Sequence, residues 1–474
     1  MNTRALKILA VNLGLCAAAG NLVAQVIETP LYSFGGSPDG YQPRGVLVHG
    51  SDGNFYGTTL YGGTGGGTVY RISPDGSFTN FYSFPGYDDD GDTPAAGLVL
   101  GSDGNFYGTD SYGGLNTYDN WGTVFKISTN GIEATVCSFG NSPYDGMNPN
   151  AGLVLGSDGN LYGTTYQGGS NSVGTVFRVS LDGIRTNLYS FGSHPYDGAI
   201  PSYAPLVQGN DGNFYGTTIY GGTNEAGTVF RISPSGNETV LYSFGGYPTD
   251  GANPEAGLAL GSDGNFYGTT ETGGVAPNDG GTIFRISPGG SYTVLYSFGT
   301  YSDYDGVNPW AGLVQGSDGN FYGTTFHGGT NYQGTIFRIS PGGSYTNFYS
   351  FVGYPTDGGY PDTGNGLVQG SDGNFYGTTA EGGTNDAGMV FKLTVSLNLP
   401  ANRISAIQVA GANVLVTIPS VAGETYQLQD RASLTTGAWA DVAGQVISIG
   451  GLLTVTNFGG FSQPQQFYRF AITP

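Results

Sequence analysis

The chain has 474 residues, enough to bury one large core or several smaller ones. Only 10% of them are charged, yet the formal net charge is −21, which argues against a nucleic-acid partner because phosphate binding needs a basic surface. The 87 glycines and 34 tyrosines favour short strands and tight turns over helices, and the apolar runs between the glycines argue against disorder.

Residues 1–25 read as a secretory signal peptide. Arg4 and Lys7 give a positive start, residues 8–19 are mostly apolar, and Ala24 precedes the expected cut. The apolar run is too short to cross a bilayer, and no later stretch is a transmembrane candidate. The mature protein is therefore expected outside the cell or at its surface, as a monomer. Cys16 falls in the leader, which leaves Cys137 without an internal partner. That residue replaces the tyrosine of a recurring L-Y-S-F strand and reads as a small core residue, not a nucleophile.

From residue 26 the chain repeats. S-D-G-N-F-Y-G-T begins at Ser51 and returns at Ser102, Ser262, Ser317 and Ser371, with Leu161 for phenylalanine after Ser157 and Asn210 for the first serine in another copy. Steps of 51, 55, 53, 52, 55 and 54 residues separate the seven copies. Each unit carries four short apolar or alternating runs, divided by Asp-Gly and Gly-Gly turns. Four strands in about 53 residues match one propeller blade, so residues 26–396 predict a seven-bladed β-propeller in an all-β protein. The outer L-Y-S-F strand occurs at Leu31, ahead of the first S-D-G-N, and no copy follows the last repeat. Residues 31–34 should therefore complete the final blade beside residues 389–393, removing an exposed sheet edge.

Naming the strands of a blade A to D, the A–B and C–D turns share one face, and the B–C and D–A loops share the other. On the first face, the cations Arg71, Lys126, Arg178, Arg231, Arg285, Arg338 and Lys392 close strand C and are expected to pair with turn aspartates. On the second face, each D–A loop carries D-G-x-x-P. Its aspartates Asp39, Asp90, Asp145, Asp197, Asp250, Asp305 and Asp357 read either as rigid loop elements or as a ring of carboxylates around the central opening, able to hold cations or sugar hydroxyls. The variable B–C loops add Tyr112, Trp121, Tyr166, Tyr220 and His327 as candidate ligand-binding residues, since variable loops on a rigid scaffold commonly bind.

Chemistry beyond binding has little support in the sequence. His49, His194 and His327 occupy different repeat positions, which speaks against a histidine metal cluster. No nucleophile elbow, zinc-protease motif or phosphate loop is present. The run from Asp88 to Asp92 resembles the start of a calcium loop but lacks its sixth-position glycine and twelfth-position glutamate. No other cofactor is expected, and no catalytic residue can be assigned, because near-identical blades give no carboxylate a distinct environment.

After a linker at 397–402, residues 403–474 show about six short alternating runs. They predict a small fibronectin-like β-sandwich with Trp439 as a core anchor.

The unit G-L-V-x-G-S-D-G-N-F-Y-G-T-T…G-T-V-F-R-I-S-P-x-G…L-Y-S-F resembles the GloVer tandem repeat, also called the choice-of-anchor tandem repeat, of exported bacterial proteins, over roughly residues 31–394. The resemblance implies export and surface anchoring and transfers no activity to particular residues. The resulting expectation is an exported, non-enzymatic propeller that binds carbohydrate or protein. A polysaccharide lyase or hydrolase using the same mouth, or a structural adhesion protein of the envelope, are the alternatives.

Overall fold

The computed structural model describes residues 25–396, apart from 87–90, 115–120, 141, 143, 202, 204, 276, 300–303 and 363–365, and residues 406–410, 413–420, 425–431, 440–442, 446–447, 451–457 and 467–473. Residues 1–24 of the expected signal peptide, the linker, Asp90 and Trp439 lie outside these. The chain divides into two compact units, one of them Glu28–Thr394. Among the described residues there is no helix, and so none long and apolar enough to cross a membrane.

Glu28–Thr394 is a seven-bladed propeller. In blade 3, strands A to D are Val154–Leu155, Leu161–Thr165, Thr175–Val179 and Arg185–Ser190, paired antiparallel in that order. Six blades follow this order within one repeat. The seventh takes Val368–Gln369, Phe375–Thr379 and Met389–Ser396 from the last repeat and Gln25–Ser33 from the start of the chain. Phe34 N–H donates to the Gly388 carbonyl at 3.0 Å just beyond that pairing. The closure expected from the displaced L-Y-S-F copy is therefore present.

Strand B explains why the core lies between blades. Its period of two sends Phe and Tyr of F-Y-G-T to opposite faces of the sheet. The tyrosine of one blade then stacks on the phenylalanine of the next: Tyr162 on Phe214 at 4.0 Å, Tyr267 on Phe321 at 3.9 Å, and Tyr376 on Phe55 at 4.3 Å where the chain ends meet. Around each pair gathers a cluster drawn from both blades, such as Tyr162, Val176 and Phe191 with Leu206, Phe214, Phe230 and Ile232. Polar stitches run beside it. Thr109 Oγ1 donates to Ala151 O of the next blade at 3.0 Å, and Ser157 N–H donates to Gln208 Oε1 at 2.9 Å. The glycine after the tyrosine is a packing requirement: a Cβ on Gly163 would sit 2.7 Å from the Phe177 ring and 2.8 Å from Leu153.

The S-D-G-N turn is a self-contained hydrogen-bonded unit. Asp372 accepts from Asn374 N–H at 3.1 Å, Asn374 Nδ2 at 2.7 Å and Tyr376 Oη at 2.8 Å, while Gly373 takes φ +80°. The same three bonds recur at the other six turns. Pairing of these aspartates with the strand C cations is rarer than expected. Among the described residues only Lys392 forms such a pair, with Asp372 at 2.9 Å. At the other turns the asparagine and tyrosine already serve the aspartate, as Asn160 and Tyr162 serve Asp158, so the carboxylate is satisfied without a cation.

Two further sheets form from residues after 405. One holds Ala406–Ala410, Asn413–Ser420 and Gly451–Asn457; in the other, Thr425–Arg431 pairs with Ala440–Asp441, Val446–Ile447 and Phe467–Thr473. Val414, Val416 and Val455 of the first pack with Leu428 of the second.

Removing one seam ring should be expensive. Phe321→Ala is expected to cost about 3–5 kcal/mol in urea unfolding, whereas Phe321→Leu, which copies the natural Leu161, should cost much less. Acid should act on the turns. Burial alone would raise Asp372, but bonds from Asn374, Lys392 and Tyr376 outweigh it and hold its carboxyl at about 2, below the ordinary 3.8. Because the folded value is the lower one, the stabilisation is complete above pH 3.8 and is lost as pH falls toward about 2. Urea midpoints of the wild type should fall through that window, and those of Asp372→Asn should fall less steeply.

Candidate functional site

The D–A and B–C loops do share a face, because they hydrogen-bond to each other. Gly146–Met147 pairs with Gln167–Gly168, Thr249–Ala252 with Thr272–Val275, and Gly358–Gly359 with Glu381–Gly382. Loops tied in this way form a firm platform on which side chains can be placed.

The D-G-x-x-P aspartates among the described residues serve that platform. Asp145, Asp197, Asp250 and Asp357 are buried, while Asp39 and Asp305 are half-buried. Asp250 accepts from Tyr242 Oη and Tyr292 Oη at 2.7 Å each and from the Gly245 and Gly251 amides at 2.8 Å. Tyr242 belongs to the preceding L-Y-S-F strand, and Tyr292 starts strand D of the next blade. The same outer-strand tyrosine reaches Asp39 from Tyr32 (2.6 Å), Asp197 from Tyr189 (2.7 Å), Asp357 from Tyr349 (2.8 Å), and Asp305 from Tyr296. Among the described residues each of these aspartates accepts from an outer strand, which makes it a latch, and Asp250 accepts from two.

Blade 2 shows how the latch tolerates change. Cys137 stands where the tyrosine should be, and Arg185 of the next blade grips Asp145 with both guanidinium nitrogens, one of them at 2.5 Å, over the Phe139 ring. Cys137 packs against the hydrophobic cluster, and burial pushes its thiol up to about 11, so it is not a ready nucleophile.

The opening itself is lined by positions that the repeat leaves variable. The residue after the D-G-x-x-P proline is Arg44, Ala95, Asn150, Glu255, Trp310 and Asp362 in six blades, and Tyr203 stands one place further on in the other. The first residue after strand B adds Tyr166, Glu271 and Phe326. Glu255 in blade 5 feels the charges of Asp362 in blade 7 and Arg44 in blade 1, and Tyr203 in blade 4 also feels Arg44. Side chains from non-neighbouring blades can meet only across the axis.

Three groups converge there. Trp310 stacks on Phe326 at 4.0 Å, with His327 edge-on to Phe326 at 4.5 Å and Tyr360 5.5 Å from His327. Tyr166 stacks on Tyr203 at 5.5 Å. Between these walls, burial first, then the charges of Glu271 and Asp362, push Glu255 up to about 7, against the pull of Arg44. Arg44 itself bonds Asp362 at 2.6 Å. Burial raises Glu271 as well, and it lowers His327, which keeps that imidazole neutral. One carboxyl thus does acquire an environment of its own, contrary to what the similarity of the blades implies.

Of the variable-loop residues singled out in the sequence, Tyr166 and His327 belong to this cluster. Tyr112 and Tyr220 are exposed on the B–C loops, and Trp121 packs against a hydrophobic cluster. Asp90 lies outside the described residues, as does most of the calcium-like run. Arg44, Tyr203, Glu255, Trp310 and Asp362 were missed. The available signal was the break in an otherwise repeated pattern one step after each proline.

These features define a seven-bladed propeller whose blades differ chiefly in what they present to a shared mouth. The chain belongs to the Gloeobacter/Verrucomicrobia repeat family, whose profile matches residues 21–139, 102–278 and 248–415. No curated protein matches it. Among solved structures, a candidate 6-phosphogluconolactonase from Bacteroides uniformis is similar at 14% identity and TM-score 0.42, covering 87% of this chain and 98% of its own. A puromycin hydrolase is similar at 12% identity and TM-score 0.45, covering 81% of this chain and 60% of its own.

The latch is testable. Asp250→Ala strands two tyrosine hydroxyls and two amides, and is expected to lower stability by about 2–4 kcal/mol in urea unfolding. Tyr242→Phe, which removes a single donor, should lower it by about 1 kcal/mol.

Proposed function

We propose that this is an exported, non-enzymatic propeller that binds carbohydrate at the mouth formed by Trp310, Phe326, Tyr166, Tyr203, Glu255 and Arg44. The observation that carries this reading is the pair of ring stacks flanking Glu255 and Glu271. Aromatic faces offer apolar area to the C–H face of a sugar, while carboxyls and a guanidinium offer acceptors and donors to its hydroxyls. Framework rigidity favours such binding, because little ordering is lost on association. Titration of the full chain with oligosaccharides chosen from a glycan array should give saturable binding. Trp310→Ala should weaken it at least tenfold, and Tyr220→Ala should leave it unchanged. An array without signal, or equal affinity in Trp310→Ala, would refute the reading.

One observation favours a second reading. Glu255, raised to about 7, stands in the same mouth as Glu271 and Asp362, and a carboxyl that holds its proton near neutral pH can act as a general acid. A hydrolase or lyase of polysaccharide would use Glu255 as the proton donor. Release of reducing or unsaturated sugar ends by the wild type, lost in Glu255→Gln while oligosaccharide binding persists, would favour this reading over simple binding.

A further inference from the structure

The outer latches differ in what faces the loop aspartate. The side chain three places before L-Y-S-F faces the aspartate of the preceding D–A loop. Tyr292 donates a hydroxyl there and Arg185 a full positive charge. At the seam between blades 3 and 4 the corresponding residue is Glu238, and it meets Asp197. Both side chains are only 1% exposed. Asp197 Oδ2 is occupied by Tyr189 at 2.7 Å and the Ser193 amide at 2.9 Å. Its Oδ1 accepts only from the Gly198 amide, at 2.7 Å. Neither oxygen of Glu238 has a hydrogen-bond partner. Two carboxyl groups thus lie buried together at this seam.

His194 completes the arrangement. Its Nε2 lies 3.5 Å from Glu238 Oε2 and 3.8 Å from Asp197 Oδ1, and one ligand atom from each residue falls within 4.8 Å of the others. A tetrahedral zinc ion with bonds of about 2.1 Å holds its ligand atoms about 3.4 Å apart, close to these separations. The ring is half exposed, which leaves a path for an ion from solvent. We propose that His194, Asp197 and Glu238 bind one Zn2+ or a similar divalent transition metal, which fastens blade 3 to blade 4. An imidazole with two carboxylates suits such a metal better than calcium, which takes six or more oxygens.

The chain supplies its own control. Glu28 faces Asp357 at the same position in blade 7, where burial and Asp357 push it up to about 8. An exposed Tyr354 stands there in place of the histidine.

The test uses the full chain, stripped with a chelator and titrated with Zn2+ in competition with a chromophoric ligand. One zinc per chain is expected, together with visible bands of tetrahedral Co2+ when cobalt is substituted. His194→Ala, in a half-exposed loop, and the isosteric Glu238→Gln should each weaken binding by about tenfold or more, a loss that even changes around a metal's ligands produce. Glu28→Gln should bind as the wild type does. Zinc should raise the melting temperature of the wild type and leave that of Glu238→Gln where it was. Absence of stoichiometric binding, or unchanged affinity in either His194→Ala or Glu238→Gln, would overturn the proposal.

Discussion

The aromatic seam between neighbouring B strands is the contact on which the propeller depends. A four-stranded blade is apolar on both faces and cannot exist alone in water, so its tyrosine and phenylalanine must each find the next blade. Seven blades satisfy this without remainder only if the last meets the first. The seam between Tyr376 and Phe55, at 4.3 Å, has the geometry of those inside the ring, such as Tyr215 and Phe266 at 4.0 Å. The N-terminal strand secures that seam. By pairing with Met389–Ser396 it joins the two ends of the propeller in one sheet.

Once the seams are fixed, most positions of the repeat are occupied. The turn aspartate is held by its own asparagine and tyrosine, the paired threonines by each other at 2.8 Å, and the loop aspartate by outer-strand donors. Variation survives where a side chain leaves the sheet. At the outer seam some of it is matched locally: Arg185 answers Asp145 where Cys137 has removed a hydroxyl, and Tyr345 stacks on Tyr296 at 4.1 Å. At the mouth no such matching is imposed, and charge, amide and aromatic rings alternate freely.

The sequence made the ring legible because its signals are local: a period, four runs per period and a displaced first strand. The loop aspartates were harder to place. Recurrence in every repeat is compatible with a ring of ligands or a ring of latches. What separates the two is a tyrosine eight residues upstream and another group some 40 residues on, and their meeting is set by the twist of the outer strands. Cys137 and Arg185 hinted at this coupling, since a lost tyrosine and a gained cation fall on adjacent outer strands. The mouth residues escaped notice because they form no motif. Glu255 and Trp310 are single departures from a consensus, and only the axis shows that they converge. The cation pairing was over-read because each turn carboxylate already accepts from its own asparagine and tyrosine, as Asp158 does.

Charge distribution bears on what such a mouth prefers. The formal net charge of −21 suggests a field that would attract cations indiscriminately. Much of that charge lies elsewhere, in seven hydrogen-bonded turns on the opposite face and in latches at the outer strands. Within the mouth, Arg44 cancels Asp362 at 2.6 Å, Glu255 is raised to about 7, and His327 is kept neutral by burial. The opening therefore carries less negative charge near neutral pH than its count of carboxyl groups implies. A recess walled by stacked rings, with part of its charge paired or suppressed, discriminates by shape and hydrogen bonding as well as by Coulomb attraction, which is a regime suited to neutral polyols.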